Sequence, residues 1–136
     1  MKFSLAQDTF HPFHRRHGFT LIELLVVLAI VALLLTLAVP RYFQSIDSSK
    51  ETVLLENLHA VRDTLDKFYG DTGRYPESLN ELVEKKYLRA LPVDPITEST
   101  STWIIVPPED PAKGGVYNIK SGALGKRKDG TSFSEL

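Results

Sequence analysis

The chain has 136 residues, 43% of them hydrophobic, with a formal net charge of −1. That is enough for one ordinary domain beside a membrane segment, and the near-neutral balance leaves no basic patch suited to nucleic acid. Cysteine is absent, which excludes a disulfide framework, a thiol nucleophile and a cysteine-based metal site.

Residues 1–17 hold His11, His14 and His17, three of the four histidines in the chain. A histidine cluster suggests metal. Here the histidines accompany a basic flank, His14-Arg15-Arg16-His17, directly ahead of a long apolar run, and the positive-inside bias explains that flank as the end kept in the cytoplasm. Residues 41–136 are then expected outside the cytoplasm. The apolar run, GFTLIELLVVLAIVALLLTLAV, extends from Gly18 to Val39. Its 21 residues from Phe19 to Val39 make a helix of roughly 31 Å, about the thickness of a bilayer's hydrocarbon core. A secretory signal peptide has a shorter apolar run with a small-residue cleavage site after it; no such site follows before Pro40-Arg41-Tyr42. The one charge inside the span is Glu23, which costs on the order of a few kcal/mol in lipid unless a cation meets it or it reaches the interface.

Arg16-His17-Gly18-Phe19-Thr20-Leu21-Ile22-Glu23 resembles the class III signal of type IV pilins and of the pseudopilins of type II secretion systems. The resemblance implies that residues 1–18 are a leader, removed by a prepilin peptidase between Gly18 and Phe19, and that Phe19 is then N-methylated. Without residues 1–18, which contain Lys2, Arg15, Arg16 and Asp8, the net charge becomes −3. Cleavage would create an amine on Phe19, and residues four apart share a helix face, so Glu23 can approach the amine of its own chain. In a filament it can approach the amine of a staggered neighbour, the role the family assigns to this glutamate. Either pairing removes an unpaired buried charge.

Pro40 ends the 19–39 span and frees the carbonyl of Thr36, kinking a helix that continues; the Thr36 hydroxyl or interfacial water is available to compensate. An apolar stripe then resumes. Val53 or Leu54, Leu58, Val61, Leu65 and Phe68 recur at steps of three and four, which predicts an amphipathic helix over 40–70. Arg62–Asp66 and Asp63–Lys67 form opposite-charge pairs on its expected outer face, and Gly70 is expected to close it. Asp47-Ser48-Ser49, with Glu51, also has the form of a capping start for a separate helix. Resemblance to pilins favours one unbroken spine instead, about 76 Å from Phe19 to Tyr69.

Residues 71–136 read as a small globular part. Gly73-Arg74-Tyr75-Pro76 resembles the turn after the spine in the major pseudopilins. Ser78-x-x-Glu81 has the form of a capping box before a short helix burying Leu79, Leu82 and Val83, with Glu81–Lys85 as an i,i+4 pair. Prolines at 92, 95, 107, 108 and 111 punctuate an irregular stretch. Trp103–Val106 and Val116–Lys120 read as strands, the second with Tyr117 and Ile119 on one face. The expected fold is α+β: a long N-terminal helical spine with a short helix and a small antiparallel sheet packed on its C-terminal half.

In the type II major pseudopilins the C-terminal loop carries calcium, with an aspartate in a Gly-Ala-Asp-Gly-Lys segment. Here Leu124 stands at that position, and Lys126, Arg127 and Lys128 follow. The only local carboxylates are Asp129 and Glu135, the candidate ligands if calcium binds; backbone carbonyls would have to supply the rest. The other reading is a solvated loop with a turn at Asp129-Gly130.

His59 on the spine, with Asp63 and Asp66 nearby, does not assemble a nucleophile, base and oxyanion donor, so no enzymatic activity is expected. The resemblance implies a structural subunit of a periplasmic pseudopilus, a homo-oligomeric filament organised by Phe19, Glu23 and Pro40. It also implies prepilin peptidase, minor pseudopilins, an inner-membrane platform and an assembly ATPase as partners. Two alternatives are a pilin-like subunit of a type IV pilus or DNA-uptake filament, and a monomeric membrane-tethered binding domain.

Overall fold

The computed structural model describes residues 18–136 together with Lys2 and Ser4. The remainder of the predicted leader, with His11, His14, Arg15, Arg16 and His17, lies outside the described residues. The chain divides after Pro40 into two units. One long helix, α1 (Leu21–Thr72, 52 residues), runs through the boundary with Pro40 inside it. In the first unit its apolar side chains are exposed along their length, as those of a helix surrounded by lipid would be.

No separate helix starts at Asp47-Ser48-Ser49. Hydroxyls there bond back to the preceding turn instead of capping a new one: Ser49 donates to the Ser45 carbonyl at 2.9 Å and Thr52 to the Ser48 carbonyl at 3.1 Å. The Thr36 hydroxyl behaves likewise. It donates to the Ala32 carbonyl at 2.8 Å, so it does not satisfy the carbonyl that Pro40 leaves free. At the other end, Gly70 is helical and Gly73 closes the helix. Gly73 adopts φ +76° and its N–H reaches the Tyr69 carbonyl at 2.8 Å, an arrangement that a residue without Cβ adopts at least cost.

In the second unit, the buried stripe of α1 is Leu54, Leu58, Val61, Leu65 and Phe68; Val53 stays exposed. The other buried apolar side chains of the core include Leu82, Trp103, Val116, Ile119 and Phe133. Leu79 and Leu82 enter it from a short helix, α2 (Leu79–Glu84). Two strands, β1 (Ile104–Val106) and β2 (Asn118–Lys120), pair antiparallel with Ile105 opposite Ile119. So short a sheet contributes few ladder bonds, and its neighbourhood is secured by buried polar groups. Trp103 donates its indole N–H to the Pro92 carbonyl at 2.9 Å. Asp94, fully buried, accepts from the Ser121 hydroxyl at 2.6 Å and from the Ile96 N–H at 2.8 Å.

Several local expectations are corrected. Arg62 does not face outward toward Asp66. Its guanidinium donates to Asn118 Oδ1 at 2.7 Å, to the Ile119 carbonyl at 3.0 Å and to the Leu136 carbonyl at 2.6 Å, because a five-donor fork satisfies three acceptors that would otherwise lie half-buried. Asp63 lies 3.5 Å from His59 rather than against Lys67. Tyr117 does not share the buried face with Ile119. The chain is extended as strand only from Asn118, and Val116 is the buried neighbour while Tyr117 is half exposed.

The capping box expected at Ser78 does not form. Ser78 occupies the N-cap but makes no side-chain cap bond. Glu81 turns instead to Arg74, at 2.5 and 3.3 Å through both carboxylate oxygens, and accepts the Glu77 N–H at 2.7 Å. A bidentate guanidinium outcompetes a neutral cap, and it ties the Arg74-Tyr75-Pro76 turn to α2. Arg74 also lies over the Phe68 ring, 5.3 Å from its centroid. Pro76 anchors the turn further, its carbonyl accepting the N–H groups of Gly115 and Val116 at 3.0 and 2.9 Å. The hydrogen bond from Arg74, followed by that from the Glu77 N–H, holds the Glu81 carboxyl below the usual carboxylate range.

Gly73→Ala, at a positive φ with open space around it, should destabilise the second unit by about 1–2 kcal/mol. Gly70→Ala, in helical backbone, should stabilise it by roughly 0.5–1 kcal/mol; urea unfolding of the full chain in detergent distinguishes the two. Because the folded carboxyl of Glu81 is the more acidic, its stabilisation is complete above the ordinary range near about pH 4.3 and fades as pH falls through its lowered value. Thermal midpoints of wild type and Glu81→Gln should therefore differ by a constant amount above about pH 5 and converge in more acid solution.

Candidate functional site

The predicted processing residues, with Phe19 and Glu23 of the assembly residues, fall at the start of α1; Pro40 lies within it. Gly18, Phe19 and Thr20 precede the helix and are exposed, Phe19 by 88%. The Gly18–Phe19 bond is thus open to solvent, in non-helical backbone, and cutting it removes nothing from α1.

Thr20 and Glu23 form a reciprocal capping box. The Thr20 N–H donates to Glu23 Oε2 at 3.0 Å, and the Glu23 N–H donates to Thr20 Oγ1 at 3.1 Å. Two of the four unpaired N–H groups at the helix start are satisfied in this way. The carboxylate also lies in the first turn, where the helix dipole favours negative charge. The sequence spells this box as Thr20-x-x-Glu23, the same form as Ser78-x-x-Glu81, a signal that reading Glu23 only as an unpaired charge misses. Among the described residues Glu23 has no cationic partner within salt-bridge distance. Both bonds of the box use groups from Thr20 onward, so cleavage after Gly18 leaves them intact and adds an amine one residue away.

A second polar cluster joins the C-terminal loop to α1 within the second unit. Gly125 and Gly130 take positive φ values of 102° and 87°. The loop closes through the N–H of Arg127 to the Thr131 carbonyl at 2.8 Å and the N–H of Gly130 to the Arg127 carbonyl at 3.0 Å. Glu51 of α1 receives the Lys128 N–H on Oε1 at 3.2 Å, and Arg127 Nε lies 3.6 Å from its Oε2. The Lys128 ammonium donates to the Gln44 carbonyl at 2.8 Å. Asp129 accepts the Thr131 N–H at 2.9 Å, while its other oxygen lies 3.3 Å from Arg127. The bonds from Thr131, with the Arg127 charge a smaller cause, hold the Asp129 carboxyl below its usual range.

Asp129 and Glu135, the candidate calcium ligands, are joined by no third acidic or histidine donor: the described residues contain no group of three or more His, Asp or Glu placed to hold a metal ion. Leu124, where the family has aspartate, is 95% exposed and brings no oxygen to the loop. His59 lies on an exposed face of α1 beside Asp63.

Residues 13–39 match the prokaryotic N-terminal methylation motif. The type II secretion system core protein G of Pseudomonas aeruginosa is 35% identical over 97 residues, covering 60% of this chain and 68% of that protein. The protein of the same name from Aeromonas hydrophila is 30% identical over 115 residues, covering 82% of this chain and 78% of its own length. The type IV major pilin protein PilA of Myxococcus xanthus is 36% identical over 73 residues, but these are 54% of this chain and 32% of that pilin. No solved structure gives a significant match. With the methylation motif at its N-terminus and similarity that extends well past α1's apolar half, the chain belongs to the type II secretion system core protein G family, within the wider group of type IV pilin-like proteins.

Proposed function

We propose that this chain is the structural subunit of a pseudopilus that drives type II protein secretion. The observation that carries the reading is the pairing of an exposed, non-helical Gly18–Phe19 bond with Glu23 in the first turn of an otherwise apolar helix. A prepilin peptidase cuts that bond and methylates Phe19. The subunit waits in the inner membrane on residues 19–39, its N-terminus cytoplasmic and its second unit periplasmic.

In the waiting state the capping box gives the Glu23 carboxylate one N–H donor and a favourable dipole, which reduces the cost of an acid in lipid without supplying a counter-charge. Assembly supplies it. The amine of a staggered neighbour meets Glu23, and the pairing selects one axial offset between copies because any other leaves both charges unpaired in a low-dielectric core. Pro40 marks the end of the span at which the helices leave the lipid. An assembly ATPase acting through an inner-membrane platform drives addition, minor pseudopilins initiate it, and growth of the rod pushes exoproteins outward. The secretion reading is favoured over a surface pilus because core protein G relatives are matched over most of their length, whereas the pilin is matched over a third of its own.

Two measurements test it. Intact mass of the chain recovered from membranes should correspond to residues 19–136 plus one methyl group; retention of residues 1–18 would refute the processing step. Glu23→Ala should remain membrane-bound yet reduce cross-linked multimers and exoprotein release by about tenfold or more, the effect of an uncompensated buried charge of roughly 1.4 kcal/mol or greater. Undiminished multimers in that variant would refute the Glu23 pairing, absence of multimers in the wild type would favour a monomeric tether, and lost surface pili with normal secretion would favour the pilin reading.

A further inference from the structure

The C-terminal loop of the related pseudopilins is expected to be shaped by calcium, which needs six to eight oxygen ligands. The carboxylates nearest Arg127 and Lys128 are already engaged. Both carboxylate oxygens of Asp129 are taken, one by the Thr131 N–H and one by Arg127. Glu51, its side chain only 14% exposed, meets the Lys128 N–H with one oxygen and Arg127 with the other. The Gln44 carbonyl faces the Lys128 ammonium. Three consecutive cations, Lys126, Arg127 and Lys128, line the same cleft as Asp47, Lys50 and Glu51, so a divalent cation entering it would meet more like charge than opposite charge.

We propose that this chain fastens its C-terminal loop to α1 with its own side chains, Arg127 and Lys128 closing on Glu51 and the Gln44 carbonyl, in place of a bound calcium ion. The device reverses the usual sign: where a metal would gather anionic ligands, fixed cations gather an anionic side chain and a carbonyl. It couples residues 77 and 84 apart in sequence, so it closes a long loop and restrains the segment carrying Phe133 into the core. The Arg127 Nε atom is buried and makes no hydrogen bond within the described residues. Its stability there depends on the Glu51 charge, which makes Glu51 the keystone of the clamp. The loop's order should then respond to ionic strength and be indifferent to calcium.

The test uses the full processed chain in non-ionic detergent and does not involve assembly, so its outcome is separate from that of the filament reading. Thermal unfolding and limited chymotrypsin digestion, with cleavage mapped after Leu124 and Phe133, are followed in calcium chloride and in chelator. Wild type should give the same midpoint and the same slow loop cleavage in both. Glu51→Gln should lower the midpoint by roughly 5 °C, speed loop cleavage severalfold and remain blind to calcium. The charge-exchanged double variant, Glu51→Arg with Arg127→Glu, should recover part of the protection. A higher midpoint or slower loop cleavage of wild type in calcium would overturn the proposal, and so would Glu51→Gln cleaved at the wild-type rate. Should Glu51→Gln fail to fold, the wild-type comparison still decides the matter of calcium, and Lys128→Gln, which removes only the ammonium contact to Gln44, decides whether the clamp restrains the loop.

Discussion

A carboxylate in the first turn of an apolar helix is the constraint from which the rest of this molecule follows. In water Glu23 would be an ordinary capping residue. Among lipid tails the same capping bonds reduce its cost without removing it, since a hydrogen bond from Thr20 and a helix dipole together supply less than one opposing charge. The residual cost makes the isolated subunit incomplete. Any event that brings an amine to Glu23 is favoured, and the amine generated at Phe19 is the nearest kind available to a second copy. On the proposed function, processing and polymerisation are linked in this way by one ionisable group.

α1 passes from one solvent into another, and its sequence changes accordingly. Up to Val39 the apolar residues cover the whole circumference, because lipid surrounds it. From Leu54 to Phe68 they narrow to a stripe, because one side meets protein and the other water. The stripe alone does not determine what packs on it. A two-stranded sheet of three residues per strand is too small to hold itself together, so polar groups flanking the stripe complete the unit. Arg62 collects carbonyls from β2 and from Leu136, and Glu51 collects the C-terminal loop. Arg74, just beyond the helix, fixes α2 through Glu81. In a chain without disulfides these cross-connections restrain the segments that a small core leaves loose.

Periodicity made the spine, its buried residues and the membrane span readable, because each depends on a pattern spread over many residues. What depended on a single competing partner was not readable. Thr20-x-x-Glu23 and Ser78-x-x-Glu81 have the same spelling, yet only the first forms a capping box. Glu81 finds a guanidinium seven residues upstream, and Glu23 has no cation within salt-bridge distance among the described residues. Spacing to Asp66 places Arg62 on the outer face, but the acceptors that claim it lie more than fifty residues away. Tyr117 illustrates the limit for strands. Alternation predicts it beside Ile119, whereas Gly114 and Gly115 lie so close to the backbone of Tyr75 and Glu77 that no Cβ would fit, and this contact sets the chain's path before β2 begins.

If the C-terminal loop is clamped as proposed, a family's fold persists while the means of holding it changes. A loop needs some group to neutralise and orient its polar atoms; a divalent cation does this with anionic ligands, and a pair of basic side chains does it with one glutamate and a carbonyl. The exchange alters what the loop senses. A metal site transmits the calcium concentration of its compartment, whereas a clamp of fixed charges depends on the folded chain itself and weakens only as salt screens it. Glu51 stands on α1 one turn before the buried stripe begins, so the anchor of the loop and the anchor of the core belong to the same rigid element. The proposed clamp would therefore keep the loop in register with the spine through side chains alone.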